Sequence, residues 1–257
     1  VRLFARDVGS GPPLVLLHAF PLSSAMWLAQ REGLADRFRV LTPDLPGFGG
    51  SRLVGGPPSL DAAADAVAEL LDWHGIGRAV VGGVSLGAHT ALALLRRRPD
   101  LVGGLVLASA RAAADPDDVR AARLRQADAL ERTGDIRAVA DDVLPRLVGR
   151  TTMTRQAFVY GRVRGLVQAA PPAAAAWALR ALADRPDETP ALAAADVPAL
   201  VLHGAEDALT DERDARALAA ALPAARLEVI AEAGQLSPVE QPARFDRAVA
   251  AFTAAHA

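Results

Sequence analysis

Short, unbroken apolar runs alternate along the chain with longer stretches in which apolar residues recur every three or four positions. The runs Leu14–His18, Arg39–Thr42, Ala79–Gly83, Gly104–Ser109, Ala199–His203 and Arg226–Ile230 predict strands. They are apolar on successive positions, as strands covered on both faces must be. Ser59–His74, Leu86–Arg97, Asp211–Leu222 and Pro242–Ala255 have helical spacing. Ser59 stands where an N-cap belongs and Pro242 where a helix opens. The alternation predicts an α/β architecture, a mostly parallel central sheet with helices on both faces.

One stretch breaks the pattern. From Arg111 to Ala195 no segment reads as a strand, and helical patterns are punctuated by Gly134, Gly149, Gly161, Gly165 and the Pro171–Pro172 pair. That is far longer than an ordinary crossover. Because strand-like segments resume directly afterwards, residues 111–195 are expected to form an inserted helical cap. Residues 1–110 and 196–257 form the core. An independent helical domain is the competing reading. The Ala173–Ala176 run reads as ordinary helix.

Composition narrows the chemistry. The 257 residues include no cysteine, lysine or asparagine, so every fixed side-chain cation is an arginine. Thiolate nucleophiles, Cys-ligated metals, P-loop lysines and Schiff-base lysines are excluded. With 28 basic and 30 acidic side chains the net charge is −2, which gives no general attraction to nucleic acid or membranes. No apolar span is long enough for a transmembrane helix, and the N-terminal stretch lacks the pattern of a signal peptide. The expectation is a soluble cytoplasmic protein.

The strongest chemical signal is Gly83-Val84-Ser85-Leu86-Gly87, between a predicted strand and a predicted helix. In a G-x-S-x-G turn the serine is strained and exposed at the sheet's edge, and small neighbours let backbone approach closely. The helix N-terminus behind it favours negative charge. The spacing is not that of a dinucleotide loop. A glycine-rich turn carrying an unreactive serine is the bland alternative.

With this motif the chain resembles the α/β-hydrolase superfamily over nearly its whole length. It looks most like small capped ester and lactone hydrolases of the 3-oxoadipate enol-lactonase type. His18-Ala19-Phe20-Pro21 is similar to the family's His-Gly oxyanion segment, with alanine at the glycine position. The resemblance implies that the backbone N–H groups of Phe20 and Leu86 form the oxyanion hole. Asp44-Leu45-Pro46-Gly47-Phe48-Gly49-Gly50-Ser51 resembles a structural turn of the family. His203-Gly204-Ala205-Glu206-Asp207 resembles the segment bearing the triad acid, which makes Asp207 the candidate and Glu206 the fallback. No metal or organic cofactor is implied, and the implied partner is a small ester or lactone.

The third triad member should follow the last strand in a segment like A-G-H-x-x-x-x-E-x-P. The chain has Ala233-Gly234-Gln235-Leu236-Ser237-Pro238-Val239-Glu240-Gln241-Pro242. Every landmark is present except the histidine, whose place Gln235 takes. An amide cannot accept a proton from serine near neutral pH, nor return one to a leaving group. Losing the base of a triad costs on the order of a million-fold in turnover. His18 reads as structural, and His203 as a strand-end residue satisfying a local hydrogen bond. His74 closes a helix and His256 lies near the terminus. His89, one helical turn after Ser85, can share its face, but a buried structural role is the simpler reading. Three readings of Gln235 stay open: a substitution disabling an esterase, a member working without a histidine base, and a ligand binder.

Other reactions on the same scaffold fit less well. Dehalogenases and epoxide hydrolases use a carboxylate nucleophile, and hydroxynitrile lyases of the plant type rely on a lysine absent here. For the pocket, Trp27, Phe158, Tyr160 and Trp177 are the candidate lining residues, with core packing as the alternative for each. Arg111, Arg155, Arg162 and Arg164 are candidates to pair with a substrate carboxylate.

Overall fold

The computed structural model describes residues 2–256. Seven strands form one sheet: β1 (Ala5–Val8), β2 (Pro13–Leu17), β3 (Arg39–Pro43), β4 (Ala79–Val84), β5 (Val102–Ala108), β6 (Ala199–Gly204) and β7 (Ala225–Ile230). Their order is β1-β3-β2-β4-β5-β6-β7. Every pairing is parallel except β1 with β3. The six predicted strands are all present, but β7 is not covered on both faces as expected: it closes the sheet's other edge, paired with β6 alone, and Arg226, Glu228 and Val229 are exposed. β1 had no apolar run to announce it: Arg6 and Asp7 are exposed, because an edge strand needs little apolar surface.

The inner strands β4, β5 and β6 are buried at every position. Helices α1 (Leu28–Leu34), α2 (Leu60–Trp73) and α3 (Leu86–Arg97) follow β2, β3 and β4. The chain runs from β2 outward to β3 and then returns to place β4 on the other side of β2. Loops leaving β2 and β4 therefore diverge at the C-terminal edge of the sheet. Such a switch point is where an open α/β sheet leaves a crevice.

Six helices lie between β5 and β6, with no strand among the described residues there: α4 (Asp117–Thr133), α5 (Arg137–Leu147), α6 (Arg150–Arg155), α7 (Ala157–Gln168), α8 (Pro172–Ala183) and α9 (Thr189–Ala193). α4 packs along α8, and α5 touches α4 and α7. Gly134 ends α4 in a left-handed cap, Gly149 precedes α6 and Pro172 opens α8. Gly161 and Gly165, expected as breaks, lie inside α7 instead, where Val163 and Val167 anchor the helix by burial. The Ala173–Ala176 run is ordinary helix, as expected.

α10 (Glu212–Ala221), α11 (Ser237–Glu240) and α12 (Pro242–His256) complete the chain. Trp27, ahead of α1, packs on Phe245 of α12 with ring centroids 5.8 Å apart. No helix among the described residues is long and apolar enough to cross a membrane.

Ser59 caps α2 as its sequence position implies, its hydroxyl accepting from the Ala62 N–H at 3.1 Å. Ser59→Ala is expected to lower stability by about 1 kcal/mol, read as a shifted midpoint in urea with an unchanged slope.

Candidate active site

Ser85 links β4 to α3 at φ 51° and ψ −109°, a region L-residues rarely occupy. Its N–H donates to the Ala108 carbonyl at 2.9 Å, fixing the turn to the end of β5. The flanking glycines are steric necessities. A Cβ on Gly83 would lie 2.3 Å from the Gly87 carbonyl carbon, and one on Gly87 would lie 2.1 Å from the Leu17 oxygen. The helix thus starts in contact with the end of β2, beside the loop carrying Phe20.

That loop is held by His18. Its Nε2 accepts from the Leu45 N–H at 2.9 Å, and its Nδ1 donates to the Ala19 carbonyl at 3.0 Å. Burial pushes its pKa down to about 4, against the opposing pulls of the Ala19 bond and Asp44. His18 is therefore a neutral clamp between the β2 loop and the Asp44 turn, as its resemblance implies. Asp44 in turn accepts from the Ser24 and Gly50 N–H groups at 2.7 and 2.8 Å. The N–H of Phe20, and that of Leu86 at the first position of α3, have no acceptor among the described residues.

Gln235 lies in the loop after β7, only 4% exposed. Each other landmark of its segment has a structural reason. Gly234 is pressed against Gly149 and Gly204: a Cβ on it would lie 2.5 Å from the Gly149 nitrogen. The Glu240 carboxylate accepts from the N–H of Gly149 (2.7 Å), the hydroxyl of Thr152 (2.7 Å) and the N–H of Gly234 (2.8 Å). Pro242 opens α12. The Leu236 N–H donates to Leu147 at 3.1 Å, so the loop is fastened to the inserted helices. Glu206, the fallback acid, is committed elsewhere: it accepts from the Thr151 N–H and hydroxyl at 2.7 and 2.6 Å.

Asp207 follows β6. One oxygen, Oδ1, accepts from the N–H groups of Leu209 and Thr210 at 2.8 and 3.0 Å. The other, Oδ2, is buried without a partner, as is Oε1 of Gln235. Burial raises the Asp207 pKa, outweighing the two backbone bonds. His203 has a buried Nδ1 with no partner, so the local hydrogen bond expected for it is not formed.

Ser85, Phe20 and Gln235 line one cavity of about 260 Å³, together with His89. Its remaining walls come from α4, α5 and α8, including Arg123, Val143 and Leu179, and from the loops after β5 and β6, including Ser109 and Thr210. The aromatic candidates are not on those walls. Trp27 is wholly buried in the core, Phe158 is 86% exposed on the surface, and Tyr160 and Trp177 pack against the core. Their exposure depends on how the helices dock, which spacing alone does not encode. Of the candidate arginines only Arg111 lines the cavity; Arg155, Arg162 and Arg164 do not, and Arg123 and Arg146 take their place. Arg162 reaches the Ala25 carbonyl instead, at 3.1 Å.

Around His89 the field is cationic. Arg123 and Arg185 share the single carboxylate of Asp115 at 2.6 and 2.9 Å, and Nε and Nη1 of the buried Arg185 have no acceptor. Burial, then Arg185 and Arg123, pushes the His89 pKa well below the usual imidazole range. Neither of its ring nitrogens has a protein partner among the described residues. No cluster of three His, Asp or Glu side chains among those residues is arranged to hold a metal ion.

A family model described as alpha/beta hydrolase fold matches residues 12–242. A pimeloyl-[acyl-carrier protein] methyl ester esterase of Aromatoleum aromaticum is 36% identical over 244 residues, 90% of this chain and 94% of that protein. Among solved structures, a malate-bound thermophilic esterase from Thermogutta terrifontis superposes with a TM-score of 0.95 at 38% identity, covering 99% of this chain and 94% of that one. The enol-lactonase of Burkholderia xenovorans superposes with a TM-score of 0.88 at 29% identity, covering 97% and 95%.

Two stability measurements check the site's construction. Glu240→Ala strips three buried donors of their acceptor and is expected to cost at least about 3 kcal/mol, read by denaturant unfolding. Asp207→Asn is expected to stabilise the fold at pH 7 by about 1 kcal/mol. A carboxyl whose pKa is raised by folding contributes most when protonated, below its unfolded pKa, and loses that contribution as pH rises through the folded value. The advantage of asparagine should therefore shrink as pH falls towards 4, as paired thermal melts would show.

Proposed function

The chain belongs to the α/β-hydrolase family, and from that premise we propose that it is an acyl-transfer scaffold for carboxylic esters or lactones, with Ser85 as nucleophile and Gln235 in place of the base. The observation that carries this reading is the meeting of strained Ser85, the Phe20 loop and residue 235 in one cavity at the sheet's switch point. The relatives named as esterases and enol-lactonase support the same reaction class.

In the full reaction the Ser85 oxygen adds to the substrate carbonyl carbon, and the carbonyl electron pair moves onto oxygen. The Phe20 and Leu86 N–H groups are the donors for that oxyanion, each worth on the order of 10²–10³ in rate. The Ser85 proton passes to a base and then to the departing alkoxide. Water repeats the sequence to release the acid. Asp207, through its free Oδ2, is the group that would orient such a base. Gln235 breaks the proton path at its first step, because its amide does not accept the Ser85 proton. Esterase turnover of this chain is accordingly low.

In this reading α4, α5 and α8 act as a cap, supplying the wall opposite Ser85. The surplus arginine near His89 suits a substrate with a free carboxylate, as Arg123 and Arg185 together exceed Asp115 by one charge. A second reading, non-hydrolytic binding or cyclase-type chemistry, is favoured by His89, a neutral imidazole facing the same cavity without protein partners. It calls for ligand binding or conversion without a covalent serine adduct.

Gln235→His is the deciding variant. Hydrolysis of short aryl esters and small lactones is expected to rise by at least about 10³-fold, and Ser85→Ala in the same background should abolish the gain. Equal inertness of both proteins, with no labelling of Ser85 by a fluorophosphonate, would favour the second reading.

A further inference from the structure

The non-glycine residues with positive φ among those described are Ser85, Ser109 and Glu232. Ser85 stands at the end of β4, Ser109 at the end of β5 next to it, and Glu232 in the loop carrying Gln235. Strained backbone of this kind persists only where its surroundings over-determine it, and it gathers at working sites. Ser85 accounts for itself as the candidate nucleophile. Ser109, at φ 50° and 2% exposed, belongs to no part of the reaction described above.

Its contacts tie three loops together. The Ser109 N–H donates to the Leu202 carbonyl on β6 at 3.1 Å. Its carbonyl accepts from the Thr210 hydroxyl at 3.4 Å, and the Thr210 N–H donates to Asp207 Oδ1 at 3.0 Å. Its own hydroxyl donates to the Gln235 carbonyl at 3.2 Å and sits beside the Asp207 carboxylate. The side chain also lines the cavity. A serine in ordinary strand geometry would continue β5 and point elsewhere. The strained turn aims its hydroxyl at the gap between the acid and position 235.

We propose that Ser109 is a positioning residue, the brace that sets the separation of Asp207 from residue 235 and keeps Asp207 Oδ2 facing that residue. The proposal rests on the acyl-transfer reading for its effect on rate, but its geometric content stands apart from it. With glutamine at 235, neither Asp207 Oδ2 nor Gln235 Oε1 finds a partner within hydrogen-bond distance, and the Ser109 hydroxyl is the side chain that stands beside the acid. A histidine at 235 would present Nδ1–H to Asp207 Oδ2. Without the Ser109 hydroxyl the 235 carbonyl is released, and the loop loses its tie to the acid.

The test uses the full chain bearing Gln235→His, alone and with Ser109→Ala or Ser109→Gly. Two readouts are taken: the strongly downfield imidazole N–H proton of an Asp–His hydrogen bond by NMR, and kcat and KM on a short aryl ester. Both Ser109 variants are expected to lose the downfield proton and to drop kcat by about tenfold, with KM shifting less than about twofold. Their melting temperatures should separate, glycine above alanine, because only glycine relieves the positive φ. A merely structural serine would instead make activity follow stability, so a fully active Ser109→Gly protein that retains the downfield proton overturns the proposal. If the histidine protein hydrolyses nothing yet shows the proton, and the Ser109 variants lose it, the brace stands while the acyl-transfer reading fails. If the histidine protein shows no such proton, Asp207 does not face position 235 and the proposal falls.

Discussion

At the turn between β4 and α3 the first residues of the helix run so close to the ends of β2 and β4 that no Cβ fits at Gly83 or Gly87. This contact holds Ser85 in a backbone conformation that nothing local favours. It also fixes the distance from Ser85 to the loop after β2, and so to the Phe20 amide. The sheet supplies the leverage, since β4 is buried along its whole length between β2 and β5 and cannot shift to relieve the strain. The strain is sustained by the core beneath it.

The rest of the site is built by similar close approaches, each closed by a buried polar group. His18 is held neutral by burial and spans two loops, so it serves as a clamp and not as a base. Glu240 satisfies donors from the inserted helices and from the loop of Gln235 with one carboxylate. Glu206 does the same for α6. These groups make the inserted helices and the sheet edge one mechanical unit. Polar accounting fails at Asp207 Oδ2, Gln235 Oε1 and Arg185, and also at buried groups elsewhere, among them Trp27, Gln30 and Thr253. Unsatisfied buried groups are costly in a stable fold, and of these residues only Gln235 lines the cavity.

Much of this was legible in the order of residues. Five of the six apolar runs, those that became β2 to β6, are buried as their pattern implied, whereas the run that became β7 forms a largely exposed edge strand; α3 has the bounds its pattern implied. The edge strand β1 escaped because Arg6 and Asp7 face water and leave no periodic signal. Gly161 and Gly165 read as breaks, yet two buried valines carry α7 through them. The aromatic residues misled for the same reason. Trp27 and Phe158 are equally apolar on paper, and one lies in the core while the other stands on the surface.

By itself the sequence determined the strand–turn–helix placement of Ser85, the loops that carry Asp207 and residue 235, and the glutamine at that position. Those features depend on local spacing and on side-chain chemistry, which travel with the chain. Only the tertiary structure decided which residues face the cavity. Arg123 and Val143 enter it because α4 and α5 dock as they do, and Ser109 joins three loops because neighbouring strands end side by side. Contacts between segments a hundred residues apart leave no periodic trace in either one, since each side chain's direction is set by the packing of the other.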